Sequence, residues 1–307
     1  MDFDQALEQF VSYLQSNDRS QMTIRGYCAD LRQFARWFEQ TNGQQPDLAA
    51  ITSIDVREYR AYMQNVKGCG PATVNRHLRS LRAFCHWAVQ AGHMPADPTA
   101  GLKEMRKQRL GPKALTRQEI YRLLRTLEER VQWYSRGGTR PRAIKAVRDM
   151  AMVTLLLHTG LRVSELAALK LSDVEISARK GILTVAGKGN KQRQIPLNND
   201  ARKALRRWLE IRSDGGETLF INRNGAPLGV RGIQDILTSL GRQAGVEGLH
   251  PHILRHTFAT RYLETNPGDL VGLAAILGHE SLNTLRIYTM PNRERMAESL
   301  ERIATSD

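Results

Sequence analysis

The sequence predicts a mainly α-helical protein of two domains with one small antiparallel β-sheet. Three observations carry that expectation. The chain has 307 residues, more than one domain usually holds. Through most of it apolar residues recur three or four apart, as a helix burying one face requires. Only two neighbouring segments, Gly181–Ala186 and Gln192–Leu197, read clearly as strands, and they flank a turn rich in Gly and Lys. With 41% hydrophobic and 25% charged residues the chain can bury a core and is no disordered tail.

The first hundred residues are expected to form a small helical domain. Phe3–Leu14 fits one helix. Thr23 reads as the cap of another, running through Ile24, Tyr27, Leu31, Phe34 and Phe38. Asp55–Met63 fits a third. The fourth opens at Pro71-Ala72-Thr73, carries Val74, Leu78, Leu81, Phe84, Cys85 and Ala88, and stops at Gly92, a residue tolerant of positive φ. On it Arg76, Arg79 and Arg82 recur every three residues, with Asn75 and His86 nearby. Two readings stay open: a solvated face, or arginine forks presented to phosphates and guanine edges.

Residues 93–114 change character. His93-Met94-Pro95-Ala96-Asp97-Pro98 breaks regular structure, and Lys103, Arg106, Lys107, Arg109 and Lys113 crowd the stretch that follows. A Pro-interrupted basic segment between two folded patterns reads as a linker. The expected division is 1–100 for the helical domain, 101–113 for the linker and 114–307 for the second domain. Thr116-Arg117-Gln118-Glu119 has the capping-box spacing and opens the next helix. Arg136–Pro141 reads as a basic loop, a helix is expected from about Ala143 to Thr159, and another after Gly160. Thr218–Ile221 is a third candidate strand, and helical patterns dominate from there. There is no internal repeat.

Charge narrows the partner. Lys and Arg number 45 against 31 Asp and Glu, a formal net of +14. Residues 1–100 are balanced, so the excess lies in the middle and C-terminal part. That distribution points to a polyanion, nucleic acid first, against the plainer reading of a merely soluble basic protein. The most apolar stretch, Ala151–Leu157, is far shorter than the ~20 residues that span a bilayer, so no membrane association is expected. Met1-Asp2-Phe3-Asp4 is acidic and opens no long apolar run, so neither a signal nor a transit peptide is expected. Cys28, Cys69 and Cys85 form no Cys-x-x-Cys pair and read as thiols of a reducing cytoplasm.

Five short segments carry polar chemistry. In Thr159-Gly160-Leu161-Arg162-Val163-Ser164-Glu165-Leu166, Gly160 permits a sharp turn and Arg162 falls near a helix start, which favours anions. Glu165, three residues on, is in reach of that guanidinium. Gly187-Lys188-Gly189-Asn190-Lys191-Gln192-Arg193 is a basic hairpin turn; it lacks the glycine and hydroxyl positions of a nucleotide-binding P-loop. His250-Pro251-His252-Ile253-Leu254-Arg255-His256-Thr257 puts two histidines at i, i+4, but no Glu follows His252 and Arg255 would sit beside any cation, so zinc is not expected. Leu277-Gly278-His279-Glu280-Ser281 is a turn before a helix start. Leu285-Arg286-Ile287-Tyr288-Thr289 carries a tyrosine that, alone, reads as core or interface.

Together Arg162, Lys188, His252-x-x-Arg255, His279 and Tyr288, in that order and context, closely resemble the signature of the tyrosine site-specific recombinases, the phage-integrase and Xer family. Thr-Gly-Leu-Arg-x-Ser-Glu-Leu, His-x-Leu-Arg-His-Thr-Phe-Ala-Thr, and Leu-Gly-His with a Tyr nine residues later are near-verbatim family motifs, and the resemblance covers nearly the whole chain. It implies an N-terminal helical core-binding, SAM-like domain and a C-terminal mixed α/β catalytic domain that close on duplex DNA as a clamp. It implies strand cleavage and rejoining through a covalent 3′-phosphotyrosyl intermediate. Tyr288 is then the nucleophile, Arg162 and Arg255 hold the non-bridging oxygens, and His252 assists proton removal. Lys188 protonates the leaving 5′-oxygen, His279 holds the phosphate, and Glu165 aligns Arg162. Arg76, Arg79, Arg82, Lys191 and Arg193 are the expected DNA contacts. Neither ATP nor a metal is implied as a cofactor.

The resemblance also implies partners: a double-stranded recombination site, three further copies of the chain in a tetramer on two sites, and a second recombinase or accessory protein where the system uses one. An amphipathic segment, Asn292–Ile303, would dock on a neighbouring protomer or on its own domain. A bacterial cytoplasm, close to the nucleoid, is the implied location. Two departures stand out: Arg130–Val147 looks longer than in compact family members, and Met290 follows Thr289 where His is common. A type IB topoisomerase, which uses a similar set of side chains, and a catalytically silent DNA-binding regulator are the alternatives.

Overall fold

The computed structural model describes residues 2–106, 113–137, 139–187, 191–212, 216–278 and 285. The chain divides into two compact units, residues 1–109 and 110–307. In the described residues it is mainly helical, with one three-stranded antiparallel sheet.

The first unit is four helices: α1 (Phe3–Ser16), α2 (Gln21–Asn42), α3 (Ser53–Ala61) and α4 (Pro71–Gln90). Their apolar periodicity is spent on one core. Phe3, Phe10, Leu31, Phe34, Leu78, Leu81 and Phe84 are all buried, and the Phe10 and Phe84 rings meet edge-on at 5.4 Å. The sequence places the α2 cap at Thr23, but Ser20 occupies it. Ser20 has the extended backbone that a cap needs, and its hydroxyl accepts from the Thr23 amide at 3.2 Å. A capping box between Thr52 and Asp55 starts α3, and a wide turn at Tyr62–Val66 continues past its end. At the end of α4, Gly92 has the positive φ expected of it, 75°.

Polar groups inside this unit are paired. Asp30 on α2 accepts from Ser80 at 2.7 Å and from Arg76, while Arg76 also reaches His77 Nε2 at 2.9 Å. Tyr59 joins through His77 Nδ1 at 3.2 Å. Burial, with the Asp30 charge second, pushes the Tyr59 phenol well above its usual range; burial also holds His77 below the ordinary imidazole value, outweighing Asp30.

A strap formed by residues 102–105 lies along α4. Asn75, fully buried, exchanges two 2.9 Å hydrogen bonds with the Met105 backbone. Arg79 forks onto Glu104 at 2.7 and 3.1 Å, and Arg82 donates to the Leu102 carbonyl at 2.7 Å. All three periodic arginines therefore have intramolecular partners, Arg76 through Asp30 and His77, Arg79 and Arg82 through the strap.

The second unit opens with the Thr116–Glu119 capping box: Thr116 N donates to Glu119 at 2.8 Å and Glu119 N to the Thr116 hydroxyl at 3.2 Å. There follow α5 (Arg117–Gly137), α6 (Arg140–Thr159), α7 (Val163–Ala168), β1 (Val174–Ile176), β2 (Gly181–Ala186), β3 (Gln192–Pro196), α8 (Asn199–Ile211), α9 (Val230–Ala244), α10 (Pro251–Thr265) and α11 (Leu270–Leu277). Helix α6 is the spine. It is buried nearly all round from Ala146 to Thr159 and packs against α5, α8 and α10. The sheet has the order β1-β2-β3, with Leu183 opposite Ile195 and Val185 opposite Arg193.

Two expectations need correction. The Arg136–Pro141 stretch is mostly helical: α5 runs through Gly137, and α6 opens at Arg140 with Pro141 in its first turn, where a missing N–H costs nothing. The third strand is β1, not Thr218–Ile221. The latter makes only isolated bridges, Lys170 with Thr218 and Ile221 with Pro227. Its apolar residues Leu219, Phe220 and Ile221 are all buried, and its Leu219 carbonyl accepts from the Trp208 indole at 2.9 Å instead of from a ladder.

The Asn75 bonds yield a test. Asn75→Ala strands two backbone groups of the strap and should lower the unfolding free energy by about 1–3 kcal/mol in urea titrations of the full chain. A change under about 0.5 kcal/mol, the level of a neutral surface substitution, would contradict that role for Asn75.

Candidate active site

The site is built where α6 ends and α7 begins. Gly160 takes a left-handed turn, φ 63°, and a Cβ there would sit 2.5 Å from the Phe258 ring and 2.6 Å from Leu277. Only glycine fits. The turn places Arg162 at the cap position of α7, where its own amide donates to Glu165 Oε2 and its Nη1 to Glu165 Oε1, both at 2.8 Å. Arg255, buried on α10, donates from Nη1 to the Gly160 carbonyl at 2.6 Å and from Nη2 to the Leu277 carbonyl at 3.0 Å.

A third guanidinium completes the cluster. Arg193 on β3 grips Glu165 with both Nη atoms, at 3.1 and 2.9 Å, and its Nε donates to the Ile276 carbonyl at 2.8 Å. Arg162 Nη2 reaches the Gly278 carbonyl at 3.3 Å. Three consecutive carbonyls at the end of α11, those of Ile276, Leu277 and Gly278, thus accept from three different arginines. A helix C-terminus supplies unpaired carbonyls and the negative end of its dipole, so it suits cations.

Charge at this point is uneven: three guanidiniums gather at one helix end, and two of them share one carboxylate. Burial by itself would raise the Glu165 carboxyl, but the hydrogen bonds from Arg193 and the Arg162 amide, with the two positive charges, hold it below its ordinary value of 4.5. Glu165 therefore stays ionised, and net positive charge remains. Arg162 is the arginine that faces outward, with its side chain 40% exposed against 14% for Arg193. Nearby, burial and then the charges of His252 and Arg255 hold His256 below the usual imidazole value.

The structure thus brings together Arg162, Glu165 and Arg255. His252 lies exposed in the first turn of α10, one turn before Arg255. Lys188, His279 and Tyr288, and the amphipathic segment 292–303, lie outside the described residues. Lys191 accepts from the Gly187 amide at 2.7 Å through its carbonyl, closing the hairpin turn. Arg193, an expected DNA contact, has both its fork and its Nε engaged inside the protein. A sequence signal for this existed. In β3, alternation puts Arg193 on the same face as buried Ile195, and a charge there must be paired. Among the described residues no cluster of His, Cys, Asp or Glu is placed to hold a metal ion, and no helix is long and apolar enough to cross a membrane.

Comparison with known proteins decides the family. Residues 113–295 match the phage integrase family, and residues 7–92 match the phage integrase N-terminal SAM-like domain. The chain belongs to the phage integrase family. Among this integrase-family chain's curated relatives is the tyrosine recombinase XerC of Corynebacterium glutamicum, 34% identical over 92% of this chain and 86% of the relative. The XerC of Chromohalobacter salexigens is also 34% identical, over 96% and 94%. The fold is shared with the XerH recombinase in a post-cleavage complex with its difH substrate, at a TM-score of 0.75 and 23% identity, covering 96% of this chain and 83% of that one. A λ integrase dimer on a COC′ core site gives a TM-score of 0.71 at 20% identity, covering 92% and 97%.

The Glu165 cluster has a pH signature. A carboxyl held below its unfolded value stabilises the fold fully above about pH 4.5, and that contribution is lost as pH falls through the lower folded value. Glu165→Ala should cost about 3–5 kcal/mol near neutrality, because two facing guanidiniums lose their shared partner. The gap between wild type and variant should narrow as urea titrations move from pH 6.5 toward pH 3.5. A constant gap would refute the ionic role of Glu165.

Proposed function

We infer that this chain is a site-specific DNA recombinase that cleaves and rejoins DNA through a covalent 3′-phosphotyrosyl intermediate, with Tyr288 as the nucleophile. The observation that carries the reading is the Arg162–Arg255 pair, brought from two separate elements to one helix end, with Arg162 backed by the Glu165 carboxylate. A phosphodiester under attack develops charge on its oxygens, and fixed donors that need no reorganisation stabilise that state best. Each such donor is worth about 3 kcal/mol.

The steps follow from the residue types. The Tyr288 hydroxyl loses its proton to His252, and its oxygen attacks phosphorus while Arg162, Arg255 and His279 hold the non-bridging oxygens. The bond from phosphorus to the 5′-oxygen breaks, and Lys188 gives that oxygen a proton. Rejoining is the reverse, with a 5′-hydroxyl of the partner strand as attacker. The phosphotyrosyl bond conserves the free energy of the original diester, so the exchange runs without an external energy source.

Duplex DNA is the substrate, and most of its affinity comes from phosphate contacts. On α4, Arg76 and Arg79 are each held by a carboxylate, Asp30 and Glu104, while half of the side chain stays exposed, which suits a phosphate contact. Arg82 is tied to the Leu102 carbonyl. The helical domain (1–100) and the catalytic domain (114–307), joined by the basic linker, close on the site as a clamp. Four copies assemble on two sites, through the segment after Tyr288, with a second recombinase or accessory protein where the system uses one. The work is done where the DNA lies, in a bacterial cytoplasm at the nucleoid.

A nicked duplex built on the sequence that the protein enriches from a random pool tests this. Wild type should leave an SDS-resistant protein–DNA adduct. Tyr288→Phe should bind within about twofold and leave none, and Arg162→Ala should form adduct about 10²–10³-fold more slowly. A wild type that binds without adduct is a regulator, one that relaxes plasmid DNA without recombinant product is a topoisomerase, and adduct from Tyr288→Phe removes Tyr288 from the chemistry.

A further inference from the structure

Arg193 lies beside the residues to which the reaction has been ascribed, yet it has no part in those steps. Its position is fixed by the sheet. Opposite it on β2 is Val185, buried, and two residues along its own strand is Ile195, also buried, so its side chain points inward. Gly278, with φ 63°, leaves the room it fills: a Cβ there would meet Arg193 Nη1 at 2.8 Å and Cζ at 3.0 Å. All three of its guanidinium nitrogens donate inside the protein, to Glu165 Oε1, Glu165 Oε2 and the Ile276 carbonyl. With a side chain only 14% exposed, it is poorly placed to meet a phosphate.

What it does to Glu165 matters for Arg162. A carboxylate beside a lone arginine favours the two-pronged pairing, which would consume two or more of that arginine's donors. Here Arg193 takes one contact on each Glu165 oxygen, and the Arg162 amide takes another on Oε2. The Arg162 side chain is left with the single 2.8 Å contact to Oε1 and the longer one to Gly278. The side chain is 40% exposed. Arg193 also ties β3 to the end of α11, so the hairpin and the helix that carries the acceptor carbonyls are held by one side chain.

We propose that Arg193 is a positioning residue for DNA cleavage: by occupying Glu165 and the end of α11 it keeps Arg162 in one-pronged pairing, with its remaining donors aimed at the scissile phosphate. The proposal rests on the recombinase reading above. It gives Arg193 no contact with DNA.

Arg193→Lys keeps the charge and removes the fork. On the nicked duplex described above, the variant should bind within twofold of wild type and with an unchanged salt dependence. Its adduct rate at saturating protein, read well below its unfolding midpoint, should fall about 10²-fold, the scale of a misplaced reacting group. Combined with Glu165→Ala, which already removes the shared partner, it should cost less than a further twofold. Arg193→Gln, neutral but still a donor, should behave alike and serves if the lysine variant does not fold. Weaker binding by the neutral Arg193→Gln, with a salt slope reduced by about one, would make Arg193 a phosphate contact instead. A wild-type adduct rate in either variant, or losses that multiply fully with Glu165→Ala, would also overturn the proposal. Those results leave the recombinase reading standing, whereas a wild type that forms no adduct ends both.

Discussion

One carboxylate and one helix end hold three guanidiniums within a few ångströms of each other. Like charges at such range repel, and the arrangement exists only because Glu165 and the carbonyls of Ile276, Leu277 and Gly278 oppose that repulsion. Helix α6 supplies the spine and ends at Gly160, whose carbonyl is itself an acceptor for Arg255. Helix α11 is short, and Asp269 caps its start by accepting from the Gly272 amide at 2.8 Å and from the Tyr262 hydroxyl at 2.6 Å. The far end of the same helix then meets the arginines.

Such a cluster is costly in the resting protein and useful in the reaction. Among the described residues one carboxylate faces its guanidiniums, and in the proposed reaction a phosphate adds the further negative charge. Because the donors are already in place, little reorganisation accompanies bond making and breaking. The cluster also divides labour by exposure: Arg255 is buried and Arg193 nearly so, while Arg162 faces outward. In the helical unit, Arg76 shows the same device on a smaller scale, a half-exposed cation anchored by buried Asp30.

Much of this was legible in the sequence. Apolar spacing located the long helices, the Thr116–Glu119 pair marked the start of α5, and the motif around Arg162 put Glu165 within its reach. The errors have physical causes. Ser20 and Thr23 are both capping residues three apart, and only backbone geometry decides between them. Strand β1 has three residues, too few for an alternation to register, while Thr218–Ile221 is apolar because it is core. Arg79 and Arg82 have the period of a free face, and a local period does not show their bonds to the strap of residues 102–105. The role of the α11 carbonyls left no trace in side-chain identity, since every residue type carries that group. Arg193 was the recoverable case, because strand alternation already placed it beside Ile195.

A crystal structure of the full chain on its recombination site, captured before cleavage, tests the central claim most directly. Arg162 should still be bonded to Glu165 and Arg255 to the backbone carbonyls of Gly160 and Leu277, with both guanidiniums about 3 Å from the oxygens of one phosphate and the Tyr288 hydroxyl facing its phosphorus. A DNA backbone that runs elsewhere, leaving those two guanidiniums without a phosphate, would contradict it.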